Sequence, residues 1–484
     1  MTDLRGLLDS ADYSNQRLVQ RLALDENLIF RRTEVPVLLR RLNHRDALDT
    51  LIRLFLLNVP LPAHELAAAV SSRAIEELTE EGILENKDDH LRSSLRITPA
   101  GGLILAHDAA APDALGTDSV LGWTPSGRSL ASITVRRQVE RTLDVGTGCG
   151  VQALLAARHS EHVVAVDLNP RALWLTNLNC ELNEVSNVEC RLGDFFEPVR
   201  DERFDMIVSN PPFVISPSHN YLFRDAGREG DALSRMVVQE AASLLKEGGY
   251  AHVMCNWVSE PGEPWWSGPA EWLTTSGCDA LLLHSDTLDP LRYASVWNES
   301  ISSQPEAFAA TLDDWLGFYD RSGIASISLG AAILRRRNGA ANWISKAELL
   351  RGPSRQAGRH VERVFAAEDV AELLEDDDAV LGQAFGLVNG HRLEQKLTYG
   401  EGRYTAEDAV ILLDEGVPVR NRVPAGVLQV LLRFDGVTPL GELVEQAADE
   451  TGFPPENLSH GVIETVRELF FLGLIDLPAL RPAG

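Results

Sequence analysis

No stretch of the 484 residues stays apolar for the roughly 18–20 positions that a bilayer span requires. The opening Met1-Thr2-Asp3-Leu4-Arg5-Gly6 lacks the basic-then-apolar form of a secretory leader. A soluble cytoplasmic protein without membrane association is expected. Cysteine is scarce: Cys149, Cys180, Cys190, Cys255 and Cys278 form no C-x-x-C pair and have no histidine at ligand spacing. That pattern argues against a disulfide framework and a zinc site, so buried free thiols and no metal are expected. Positive charge is also short, with 44 Lys+Arg against 71 Asp+Glu and a formal net charge of −27. Nucleic-acid binders draw much of their affinity from neutralised phosphates, so this balance disfavours a nucleic-acid partner, although a local basic patch can persist in an acidic chain. The stretch Val361–Gly484 holds 23 acids and 9 bases, a net of −14, and so carries about half the excess. Tandem repeats are absent, and the one low-complexity tract is Ala109-Ala110-Ala111-Pro112.

Hydrophobic residues make up 44% and charged residues 24%, the balance of a chain with packed cores. The pattern divides the chain at 1–112, 113–343 and 344–484. The first region reads helical over Pro36–Asn58, with further helices opening at Pro62 and at the capping serines Ser71 and Ser72. A β-ribbon of Ile83-Leu84-Glu85 then Leu91–Leu105 follows, an order that resembles a winged helix. The candidate recognition helix reads Arg73-Ala-Ile-Glu-Glu-Leu-Thr-Glu-Glu, four acids against one base, which suits protein docking or packing better than phosphate. The last region shows an acidic helix at Glu368–Asp378 and helices over Pro424–Phe434, Leu440–Ala448 and Leu458–Leu472, a mainly helical, winged-helix-like module.

Between them, strands and helices alternate, the signature of a parallel α/β sheet. Strands are expected at Arg141–Val145, His162–Asp167, Val188–Leu192, Phe204–Ser209, Gly249–Trp257, Ala280–Ser285 and Ser326–Arg335. Helices fall at Gln152–Arg158, Pro170–Glu184 and Ala232–Lys246. Three successive strand ends carry chemistry, where open α/β sheets bind ligands. Asp144-Val145-Gly146-Thr147-Gly148-Cys149-Gly150 spaces its glycines at every second position, which lets the backbone approach a ligand. Asp144 beside this loop would repel pyrophosphate and suits a cationic group such as an α-ammonium. Asp167, followed by Leu168, can accept from two ribose hydroxyls, and Asp194-Phe195 can take an adenine amino group and pack on its ring.

This arrangement resembles class I S-adenosylmethionine-dependent methyltransferases over about Asp118–Arg337, implying a seven-stranded, doubly wound, Rossmann-like sheet. The resemblance implies S-adenosyl-L-methionine as cofactor, held by Asp144, Gly146, Thr147, Gly148, Gly150, Asp167, Leu168, Asp194, Phe195 and Asn210.

After the fourth strand comes Asn210-Pro211-Pro212-Phe213. The prolines fix φ and remove two backbone donors, leaving carbonyls as acceptors in a rigid turn. The Asn210 side-chain oxygen can help hold an –NH2 group, and Phe213 offers a face to a planar group. Holding both hydrogens of a conjugated nitrogen bends it toward tetrahedral character and frees its lone pair. Asn-Pro-Pro-aromatic resembles the amino-methyltransferases, whose catalytic turn maps onto Asn210, Pro211, Pro212 and Phe213. The glycine loop and Phe223–Leu233 favour their HemK/PrmC-type branch, although Phe213 stands where that branch prefers tyrosine. The resemblance implies a glutamine amide on a protein partner docked by the flanking regions. An exocyclic amine of an RNA or DNA base, or a small molecule, is the alternative. Softer expectations are a cofactor-covering role for Ser119–Ser129, a pocket wall from Trp257, Trp265 and Trp266, and an exposed loop position for His219.

Overall fold

The computed structural model describes residues 4–109, 116–217, 224, 230–337, 339, 341–349, 357–452 and 454–478. They form two compact units, one of residues 1–128, 138–280 and 287–344, the other of 129–137, 281–286 and 345–484. The first unit carries β1 (Val139–Val145), β2 (Ser160–Asp167), β3 (Val188–Leu192), β4 (Phe204–Ser209), β5 (Leu245–Val258) and β7 (Ile327–Arg336), while β6 (Cys278–Leu288) has its two ends there and residues 281–286 in the second unit. With β8 (Ile344–Glu348) the sheet order is β8-β6-β7-β5-β4-β1-β2-β3, so it has eight strands where seven are expected. The extra strand is not visible in the sequence pattern because Ile344-Ser-Lys-Ala-Glu is only partly buried and holds no apolar run.

Strands β3, β2, β1, β4 and β5 are parallel, and β7 runs antiparallel to β5. Leu143, Val163, Val164, Ile207, Ala251 and Val253 are fully buried, as a sheet covered on both faces demands. Helices α1 (Val151–Ala157), α2 (Pro170–Leu182) and α3 (Ala232–Leu244) connect the parallel strands. Their carboxyl ends align in register, Val145 opposite both Val166 and Ser209, and Asp167 opposite Leu192.

The N-terminal stretch packs within the same unit. The helix expected over Pro36–Asn58 is broken into Val35–Arg41, Ala47–Leu51 and a π-helical turn at Ile52–Leu56. Arg45 takes a left-handed φ of 57° and Asp46 caps the second piece through Asp49 N–H at 2.8 Å. The expected ribbon over Leu91–Leu105 separates into two sheets. His90–Ser93 joins Leu61–Pro62 and Leu84–Lys87, while Leu95–Ala100 and Leu103–Asp108 form their own hairpin.

That hairpin is fastened to α2 by two amides one helical turn apart, which share a face at this spacing. Asn183 accepts from Ile104 N–H (2.8 Å) and donates to Ile104 C=O (2.7 Å). Asn179, fully buried, does the same with Ala106 at 2.6 and 2.8 Å and also donates to Cys149 C=O at 2.8 Å. The two side chains stand in for a neighbouring strand along the hairpin edge.

The second unit is mainly helical among its described residues, as expected, but adds a sheet that the sequence pattern does not show. It contains helices at Ala357–Asp369, Ala425–Leu431, Leu440–Thr451 and Pro455–Phe471, but also an antiparallel sheet of His391–Gly400, Arg403–Leu413 and Arg420–Val423. The first of these strands is almost wholly exposed, so it lacks the alternation that reveals a half-buried strand. The acidic Glu368–Asp378 stretch is also not one helix. It ends one helix, passes through a short turn, and starts Asp377–Leu381, where Asp376 caps Ala379 N–H at 3.1 Å. Acids there favour the positive helix end. Four of the cysteines are buried and Cys190 is half-buried; all are free thiols. Among the described residues no helix is long and apolar enough to cross a membrane.

Asn179→Leu would leave the Ala106 pair and Cys149 C=O unpaired in the interior. A stability loss of about 3 kcal/mol is expected, since each buried orphan costs roughly 1–3 kcal/mol, and denaturant titration of the full chain measures it.

Candidate active site

Beyond β1 the chain makes a loop whose glycines all have positive φ: Gly146 (71°), Gly148 (58°) and Gly150 (81°). Gly146 and Thr147 N–H both donate to Val166 C=O, at 2.9 and 3.1 Å. Asp144 is 1% exposed, and its Oδ2 accepts from Thr147 Oγ1 (2.7 Å) and Ala153 N–H (3.0 Å), tying the strand end to the first turn of α1. The carboxylate expected to meet a cation is thus mainly a brace for its own loop. Burial pushes its pKa up to about 7 against those hydrogen bonds.

The loop's next support comes from β2. Asp167 Oδ2 accepts from Gly148 N–H and Oδ1 from Asn169 N–H, both at 2.9 Å. Burial raises the Asp167 pKa while these backbone donors lower it. Asn169 caps α2 through Arg171 N–H (2.9 Å) and donates to Asp118 C=O (2.7 Å), anchoring the 119–124 segment.

The glycines divide by what a side chain would meet. A Cβ on Gly146 would have nothing within 4 Å, and on Gly148 only Val120 Cγ1 at 4.0 Å. A Cβ on Gly150 would stand 2.8 Å from Thr176 Cγ2, so Gly150 serves the close approach of α1 and α2.

At the end of β4, Ser209 Oγ donates to Val145 C=O at 2.9 Å, drawing the Asn-Pro-Pro turn against the glycine loop. Asn210 Oδ1 is buried without a hydrogen-bond partner. The Pro211 carbonyl, expected to be free, accepts from Phe213 N–H at 2.8 Å. Phe213 is 8% exposed and packs edge-on to Trp297, with ring centroids 6.1 Å apart, in a cluster with Tyr293, Trp315 and Tyr319. Its ring is part of a core and not an open face for a planar group. The chain beyond is clamped by two buried tyrosines on helices α4 (Pro290–Trp297) and α5 (Pro305–Arg321). Ile215 N–H donates to Tyr293 Oη (3.2 Å), and Tyr319 Oη donates to Ile215 C=O (2.8 Å).

These strand ends enclose a cavity of about 330 Å³. Asp144, Gly146, Thr147, Gly148, Asp167, Leu168, Asp194, Phe195, Asn210 and Pro212 line it, whereas Gly150, Pro211 and Phe213 do not. The Ser119–Ser129 stretch contributes Ser119 to Gly122, Thr124 and Gly127. Six further lining residues, Cys149, Val151, Gln152, Val166, Asn169 and Ala172, are not among the expected site residues, and two of them are polar amides. Asn169 is signalled by its place before Pro170, an N-cap ahead of a first-turn proline. Gln152, whose Nε2 donates to Gly127 C=O at 2.7 Å, carries no local signal. Trp257 and Trp265 pack on each other, and neither they nor Trp266 line the cavity. His219 and most of Phe223–Leu233 lie outside the described residues. No metal-ligating cluster occurs among the described residues.

Residues 126–259 match the methyltransferase small domain family, and residues 10–94 match a domain of unknown function, DUF7059. A release factor glutamine methyltransferase of Aquifex aeolicus is 35% identical over 126 residues, 24% of this chain and 45% of that protein. A ribosomal protein uL3 glutamine methyltransferase of Bradyrhizobium diazoefficiens is 43% identical over 124 residues, 23% of this chain and 39% of that one. The chain thus spans less than half the length of either relative. Among solved structures, Trm5b from Pyrococcus abyssi overlaps with a TM-score of 0.33 at 17% identity, covering 57% of this chain and 69% of that chain, too loosely to inform function.

Gly150→Ala meets both a left-handed backbone and the Thr176 contact, so thermal unfolding should show a loss of at least about 1–2 kcal/mol. Asp144 yields a pH signature. Between its ordinary 3.8 and about 7 the folded chain keeps a proton that the unfolded chain has released, so this group's contribution to stability falls as pH rises through that window. Asp144→Asn removes that slope. Melting curves from about pH 5 to 8 should show the variant's Tm improving relative to the parent as pH increases; a constant difference would show an ordinary carboxylate.

Proposed function

We propose that this chain transfers a methyl group from S-adenosyl-L-methionine to the side-chain amide nitrogen of a glutamine in a protein. One observation carries the reading: the cavity that gathers the glycine loop, Asp167 and Asp194 also contains Asn210, whose buried side-chain oxygen lacks a donor. The open space at Gly146 and Gly148, which a Cβ would fill, fits a ligand lying against the loop. When bound, the cofactor supplies a methyl group activated by its sulfonium.

The chain's own residues bind and orient. Each Asp167 oxygen already accepts one backbone N–H and keeps acceptor capacity for a ribose hydroxyl. Asp194 offers an acceptor for an amino group, with Phe195 and the 54%-exposed Leu168 as apolar surface. Asn210 Oδ1 receives one amide hydrogen of the acceptor. The Pro211 carbonyl, in the peptide group that joins it to the cavity-lining Pro212 and with one lone pair on Phe213 N–H, keeps the other for the second hydrogen. Restraining both hydrogens turns the nitrogen lone pair out of conjugation, and positioning supplies most of the rate. Phe213 acts as a positioning residue through its packing on Trp297. No strong base is needed beforehand, because the proton becomes acidic once the new N–C bond forms.

The relatives' names, a release factor and a ribosomal protein glutamine methyltransferase, support a protein acceptor. The N-terminal strand pairing of Leu61–Pro62 with His90–Ser93, beside Leu84–Lys87 and after two short helices, supports a winged-helix-like docking module.

With methyl-labelled donor and fractionated cell extract, label should enter protein and be found as N-methylglutamine by mass spectrometry. Label confined to RNA or to small molecules overturns the assignment. Asn210→Ala should slow transfer at saturating donor by about 10²–10³, the scale of one lost transition-state contact, read as label transferred per unit time.

A further inference from the structure

A second cavity, about 270 Å³, adjoins the first and shares Leu121, Gly122 and Thr124 with it. Leu105, Leu121 and the 62%-exposed Ile29 give it an apolar lining. Its lining includes one guanidinium, that of Arg128, and, among the described residues, no carboxylate. Arg128 lines it, with its guanidinium 5.3 Å over the Trp123 ring and donating to Trp123 C=O (3.5 Å) and Asn27 Oδ1 (3.1 Å), both neutral acceptors. Asp25 adds the one favourable charge felt by Arg128. Arg96 stands directly across the hairpin from His107, a lining residue, and cross-strand partners share a face.

Arg96 is the anomaly. Its Nε is buried without a hydrogen-bond partner, and the charges that act on it are those of Arg32 and Arg92. Burial first, then these like charges, hold its pKa below the usual arginine range. Arg92 itself donates to the amide oxygen of Asn58, at 3.1 and 3.0 Å. In a chain of net charge −27 carboxylates are plentiful, yet Arg92 and Arg128 donate to amide and carbonyl oxygens. A half-buried cation without a counter-charge costs stability, so a ligand that supplies one is the natural complement.

We propose that this cavity recognises an acidic side chain, Asp or Glu, lying beside an apolar residue in the protein acceptor. The inference rests on the protein-acceptor reading above. A carboxylate on a short stem fits a recess with apolar sides. A phosphodiester backbone needs a continuous exposed cationic track, and the nearby Ser72–Glu80 helix with Glu81 instead presents Glu76, Glu77, Glu80 and Glu81 against Arg73.

The test is binding, read by calorimetry on the full chain without methyl donor. The probes are the blocked pentapeptide Leu-Glu-Leu-Gln-Gly and its neutral counterpart Leu-Gln-Leu-Gln-Gly. The acidic peptide should bind about tenfold more tightly, a difference of about 1.4 kcal/mol. Arg96→Met and Arg96→Gln should abolish that preference while melting no lower than the parent, because each removes an unpaired cation and orphans no acceptor. The proposal is overturned by equal affinity for the two peptides, by no saturable binding at millimolar peptide, or by a single-stranded RNA oligonucleotide that outcompetes the acidic peptide. It is equally overturned if the Arg96 variants lose stability and keep the preference. Asn210→Ala should keep the preference intact, so failure of this pocket and failure of methyl transfer are separable.

Discussion

The loop after β1 bends through three left-handed glycines, and that geometry leaves its peptide groups without helix or ladder partners. Nearly every partner it finds comes from β2 and α2. Val166 C=O takes two of its N–H groups, Asp167 a third, while Thr176 Oγ1 donates to Gly148 C=O at 3.1 Å and Asn179 to Cys149 C=O. A buried backbone group without a partner is expensive. The cradle therefore exists only when the second strand and second helix are in place. The same α2 asparagines hold the Leu95–Asp108 hairpin, so the glycine loop and the N-terminal stretch are satisfied by one helix.

A second rigid turn faces this cradle. The prolines at 211 and 212 restrict it locally, but its direction is set by Ser209 behind it and by Tyr293 and Tyr319 beyond it. Those tyrosines arrive on helices inserted between β6 and β7, some 80 to 104 positions downstream of Ile215. Beside them Asn210 holds a buried acceptor that finds no donor among the described residues. In a binding site that deficit is a specification, since it favours a ligand bringing an N–H over one that brings another acceptor.

Much of this was legible along the chain, for physical reasons that differ by element. The parallel strands were visible because strands buried on both faces are near-continuous apolar runs, and the cavity-lining acids Asp144, Asp167 and Asp194 stand at or just beyond their ends. The 391–400 strand was hidden because an exposed strand carries no apolar alternation, and β8 because its five residues are only partly buried and hold no apolar run. Phe213 was misread as an open stacking face, since nothing local reveals that Trp297 packs on its edge. Gly150 looked equivalent to Gly146 and Gly148 in spacing, yet it faces Thr176 and not the cavity. Gln152 gave no signal at all, because its partner, Gly127, lies in a segment without periodicity.

What the sequence determined by itself is the set of short-range constraints: which strand ends bend through glycine, which turn is locked by proline, and which carboxylates stand beside them. Those follow from backbone sterics and residue chemistry within a few positions. Tertiary structure decided which of these groups remain free to act. It engaged Asp144 with its own loop, enclosed the Phe213 ring, and left Asn210 Oδ1 and Arg96 Nε unpartnered. Satisfaction of a hydrogen-bonding group depends on neighbours that only the folded chain brings near.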